Sequence, residues 1–95
     1  MDLPARYAMT DAPHNDAEVL ALAALAATLT DARRAERFLS LTGLSPDGIR
    51  SRLGDRALLA ACIAFLEGHE PDLVAVAGDI GASPEDLLRA RAELE

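Results

Sequence analysis

"TGLSPDGIRSRL", residues 42–53, decides how this chain is read. A glycine, then Ser-Pro-Asp, then Arg50 and Arg52 can be the turn and reading helix of a DNA-binding helix-turn-helix. The same residues also suit a plain joint between two packed helices. Gly43 would end one helix in the left-handed conformation, and Ser45 would cap the next. Pro46 would take its first position, where a missing N–H costs nothing, and Asp47 would face the positive helix end. A helix-turn-helix wants a small residue, a glycine four later and an aliphatic residue six beyond the glycine. Leu39, Gly43 and Ile49 meet two of these conditions. An echo, "GASPEDL" at 81–87, meets all three with Ala77, Gly81 and Leu87. Its reading helix, however, would begin with Glu85 and Asp86, where DNA phosphate would have to lie. Arg50 and Arg52 are two residues apart and leave different sides of a helix. The joint accounts for more of these residues, and DNA reading by residues 38–53 stands as the alternative.

Working outward, further caps divide the chain into short helices. Residues 1–15 hold two prolines and no periodicity and read as a flexible arm before a single domain over 16–95. Asn15 and Glu18 have capping-box spacing, which predicts a first helix from Asp16 to Leu29. On it Leu22, Leu25 and Leu29, with Val19 beside them, share one side, and Ala17, Ala21, Ala24 and Thr28 share the other. Bulk on one side and alanine on the other suggests a central helix that its neighbours approach closely. Thr30 or Asp31 predicts a helix over 32–42. Asp55 predicts one over 56–67, Pro71 opens a fifth before Gly81, and Ser83-Pro84-Glu85-Asp86 starts a sixth. A third, short helix runs from Pro46 towards Gly54. The expected fold is therefore all-α, a compact bundle of five to six short helices with glycine-terminated, Ser-Pro-capped joints. Its expected core is Leu22, Leu25, Phe38, Leu58, Cys62, Phe65, Leu73, Ile80 and Leu87.

Composition agrees with helix. Of 95 residues 51% are apolar, mostly alanine and leucine, and β-branched residues are few. The formal charge is −7 and every basic residue is arginine. An acidic chain repels phosphate at long range, which disfavours nucleic acid as a partner. The apolar run 19–29 is too short to span a bilayer, and its acidic flank does not suit a signal peptide. A lone cysteine fits a reducing compartment, so a cytoplasmic protein is expected.

Six arginines gather in one stretch: Arg33, Arg34, Arg37, Arg50, Arg52 and Arg56. They are either a solvated surface balanced by neighbouring acids or a patch that docks an acidic partner. His69 in "EGHEPD" sits among carboxylates, but in a glycine-proline turn where acids simply solvate the chain and cap a helix. No metal and no cofactor is expected. No nucleophile elbow, phosphate loop or zinc-protease pair occurs, and Cys62 has only apolar flanks. The sequence therefore reads as a non-catalytic protein-interaction module with the six arginines as candidate partner-binding residues.

A family resemblance rests on "RFLSLTGLSPDGIRSR", the alanine-leucine first helix, "LLAACIAFLEG" and the closing "GASPEDLLRARAEL". Over about residues 16–95 the chain resembles the DUF3572 family of small α-proteobacterial proteins. The resemblance implies a compact helical fold and a bacterial cytoplasmic protein; it carries no activity and no functional residues.

Overall fold

The computed structural model describes residues 13–95, so most of the proposed arm lies outside the described residues. Six helices follow one another: α1 Pro13–Thr30, α2 Ala32–Thr42, α3 Pro46–Arg50, α4 Arg56–Glu67, α5 Glu70–Asp79 and α6 Pro84–Leu94. No strand occurs among the described residues. The fold is the all-α bundle that the sequence implies. Helix α1 is its axis, because α2, α4, α5 and α6 all pack on it, and α4 and α6 also pack on each other.

The joints are built by local chemistry. Gly43 ends α2 at φ 73°, and its N–H donates to the Leu39 carbonyl at 2.8 Å. The Ser45 hydroxyl then accepts the Gly48 N–H at 3.0 Å, with Pro46 in the first turn. The echo repeats this design. Gly81 has φ 73°, the Ala82 N–H returns to the Ala77 carbonyl at 2.8 Å, and Ser83 and Asp86 form a reciprocal capping box. A residue with a Cβ resists that left-handed conformation, which is why both turns carry glycine. "TGLSPDGIRSRL" is thus a capped joint.

Three expected boundaries move. Helix α1 begins at Pro13, so Asn15 lies inside it and is not its cap; proline is tolerated in a first turn because its N–H would be unpaired there anyway. Helix α3 ends at Arg50, and residues 51–54 continue as turns, so Gly54 does not terminate it. Helix α5 starts at Glu70, one residue before Pro71, and its cap position, His69, makes no side-chain cap bond.

The largest correction concerns which side of α1 faces inward. Ala17, Ala21, Ala24 and Thr28 are buried, with Ala21, Ala24 and Thr28 at 0% exposure. Val19 is 68% exposed, Leu22 41% and Leu29 36%. Leu22 therefore leaves the expected core, and Phe65 and Ile80 sit at its margin. Leu25, Phe38, Leu58, Cys62, Leu73 and Leu87 are buried as expected, and Leu59, Ile63, Leu66 and Val76 join them. Ala60 is buried as well. The reason is steric. A helix surrounded by four others can be approached closely only along its small residues, since interaxial distance follows the side chains at the contact. Thr28 tolerates burial because its hydroxyl donates to the Ala24 carbonyl at 2.8 Å; the Cys62 thiol of α4 lies 3.6 Å from it.

Two outcomes follow from this packing. Ala24→Leu would overpack a filled contact and should cost roughly 1–3 kcal/mol, whereas Leu22→Ala should cost less than about 1 kcal/mol. Urea midpoints of the two variants decide; the reverse order would restore the leucine side to the core. The second outcome concerns acid. Hydrogen bonds hold the carboxyls of Asp31, Asp55 and Asp86 below their ordinary value of 3.8, chiefly from the Arg34 N–H, the Arg52 guanidinium and the Ser83 N–H respectively. A carboxyl lowered in the folded state stabilises it above its unfolded value, and that contribution is lost as pH falls through the folded one. Stability should therefore decline below about pH 4, and the acid slope should flatten when all three become asparagine. An unchanged slope in the triple variant, read by denaturant midpoints against pH, would contradict this.

Candidate functional site

The structure disperses the arginine cluster. Arg50 pairs with Asp47 at 2.6 Å and Arg52 with Asp55 at 2.9 Å, both within the α3–α4 joint. Arg56 donates to Glu18 of α1 at 2.8 Å and to the Glu93 carbonyl of α6 at 2.7 Å, so it ties three helices. Arg37 pairs with Asp72 of α5, and its guanidinium lies 5.8 Å from the centre of the Phe65 ring. Phe65 in turn meets Phe38 edge to face at 5.3 Å. Arg33 is exposed. These residues point to different neighbours, and their charges are largely met within the chain.

Arg34 is not on the surface at all. It is only 7% exposed, and its Nη2 donates to the Ala27 carbonyl at 3.0 Å. The sequence at the α1–α2 junction explains it. Asp31 alone separates the two helices and serves as the α2 cap, so α1 ends without a glycine to fold back on its last carbonyls. Arg34 supplies a donor to that end from the next helix, helped by Thr30, whose hydroxyl donates to the same carbonyl at 2.7 Å. A cation also suits the negative end of α1. Asp79 of α5 is 4.0 Å away, and the Arg34 Nε is buried without a hydrogen-bond partner. Among the described residues this is the one buried side-chain polar atom left unsatisfied.

What does collect on the surface is apolar. The exposed side of α1, facing α2 and the short α3, forms the wall of a groove of about 540 Å³. Leu22, Leu25 and Leu29 line one side, Ala35 and Leu39 the other, and Ile49 and Leu53 close it. Among the described residues, its only charged lining residue is Arg50. A smaller cleft of about 200 Å³ continues it past Val19, Leu22 and Leu53. An apolar, open groove of this size lies in the range of binding sites. Sequence reasoning grouped Leu22, Leu25 and Leu29 on one side of α1 and assigned Leu22 and Leu25 to the core; Leu25 is buried and forms the floor of the groove, whereas Leu22 is exposed. The available signal was the absence of any charge on α1 from Val19 to Leu29, which left that helix apolar on every side.

Little here favours chemistry. The Cys62 thiol is fully buried, and that burial pushes it up to about 11, which suits an inert filler. Among the described residues, no group of three His, Cys, Asp or Glu could hold a metal ion, and no helix is long and apolar enough to cross a membrane.

Fold and surface together define a small all-helical domain whose most distinctive feature is a grooved apolar face. The chain belongs to the DUF3572 family, described as proteins of unknown function, whose family model matches residues 14–95. Comparison with curated proteins and with solved structures returns no match.

The two kinds of arginine should separate on substitution. Arg34→Ala should cost roughly 1–3 kcal/mol by removing a charge-assisted hydrogen bond from a buried helix end. Arg50→Ala and Arg52→Ala should each stay within about 0.5 kcal/mol, because their ion pairs are exposed and local. Thermal and urea unfolding measure all three, and equal effects would show that Arg34 caps nothing.

Proposed function

We propose that the protein is a non-catalytic protein-interaction module acting in the cytoplasm, and that it binds through the groove between α1, α2 and α3. One observation carries the reading: Leu22, Leu29 and Leu53 are exposed together around an apolar groove, and Val19 is exposed in the cleft that continues it. Scattered surface leucines need no explanation, but a contiguous apolar face does. Docking of an acidic partner through the arginines takes second place, since Arg37, Arg50, Arg52 and Arg56 already hold carboxylates and Arg34 is buried. Arg50 remains at the groove as the one charge that could contribute polar specificity. The helix-turn-helix alternative is less favoured because its reading helix, α3, has five residues, and Arg50 within it and Arg52 just beyond it are both paired.

Photo-crosslinking inside the producing cell tests this reading. A photoreactive residue at Leu22 should form a protein adduct, and one at Val74, 52% exposed on α5 away from the groove, should not. Adducts from both positions alike, or from neither, would overturn the assignment of the groove.

A further inference from the structure

We infer that the occupant of the groove is a second copy of this chain, with the two α1 helices antiparallel; the inference rests on the groove being a protein-binding site. The exposed residues Val19, Leu22, Ala26 and Leu29 are spaced three, four and three apart, the spacing of a helix-pairing seam. The seam is self-complementary when one copy is turned over about a two-fold axis near residue 24. Leu22 then falls opposite the small Ala26 of the other copy, twice, and Val19 falls opposite Leu29. A two-fold contact must match its own surface in this way. No ionisable residue lies between Val19 and Leu29, so pairing buries no charge from α1.

Charge fixes the direction. The acids of α1 stand at its start, Asp16 and Glu18. At the other end of α1 begins α2, whose first turn holds no acid and carries the exposed Arg33. Asp31, the one acid at that junction, is engaged as the α2 cap, accepting the Arg34 N–H at 3.0 Å. An antiparallel pair therefore sets Asp16 of each copy against the positive end of α2 and Arg33 of the other, while Glu18 stays with Arg56 of its own chain. A parallel pair would set the two acidic ends against each other and align the helix dipoles. A seam of four residues on each copy buries little surface, which places the contact among weak, reversible interfaces.

Sedimentation equilibrium of the purified full chain tests this. The mean mass should rise from 10.0 kDa towards twice that value with concentration. Ala26→Arg, a helix-compatible change at an exposed position, should weaken the association by more than about 30-fold, as at the centre of an interface, with the circular dichroism unchanged. Asp16→Arg and Arg33→Glu should each weaken it, and the double variant should recover part of the loss. A wild-type mass fixed at 10.0 kDa at every concentration, or a dimer indifferent to Ala26→Arg, overturns the proposal. The Leu22 adduct in cells separates its failure from that of the groove. A covalent product of twice the chain mass supports the second copy. An adduct with a different protein alone overturns the second copy and leaves the groove as a binding site. No adduct overturns both.

Discussion

The contact along Ala17, Ala21, Ala24 and Thr28 sets the rest of the structure. Four helices reach α1, and they can share it only if its buried stripe is narrow and small. Once that stripe is spent on α4 and α6, Leu25 still reaches the core, but Val19, Leu22 and Leu29 are left facing out. The exposed leucines are thus a consequence of the packing that holds the domain together, and the same helix serves as the axis of the core and the wall of a groove. In a 95-residue domain a single modest core is available, and alanine at its centre makes it compact without making it large.

The remaining helices are held by short-range devices that cooperate with this axis. Asp31, Ser45, Asp55 and Ser83 cap four of the helices, and Gly43 and Gly81 turn two of the corners. Ion pairs fasten the outside: Arg56 holds α1 and α6 to α4, and Arg91 of α6 pairs with Glu67 of α4. Arg34 differs from these because it works in the interior. Its guanidinium closes a helix end that the one-residue α1–α2 junction leaves no room to close by backbone alone. That an arginine can be a structural cap in one place and a solvated ion pair a turn later explains why a cluster in sequence need not be a patch in space.

The caps were legible from sequence because capping is local. The limits of α2 and α4, the left-handed glycines and the Ser45 and Ser83 caps all follow from residues within four positions of one another. The inward side of α1 was not legible in that way. Both of its stripes are apolar, so periodicity offers two answers, and choosing the bulkier stripe applies a rule that holds for a helix with one covered side. Which stripe is buried depends on how many neighbours converge on the helix, and that is a property of the whole fold. The burial of Arg34 was hidden for a related reason: only the length of the α1–α2 junction, seen together with the missing glycine, signals that a donor is needed there. The groove was present in the sequence as leucines with no polar side to α1, but it could be recognised only after the core had been assigned elsewhere.

The central claim is that α1 turns its small side inward and keeps its large side for a partner. Carbene footprinting of the native protein across a dilution series tests it most directly, because it labels side chains in proportion to their exposure. The account predicts that in dilute protein Val19, Leu22 and Leu29 are labelled strongly and Leu25, Leu66 and Leu87 are not, and that labelling of the first group falls as concentration rises. Protection of Leu22 and Leu29 at every concentration, matching that of Leu25, would place them in the core and contradict the account.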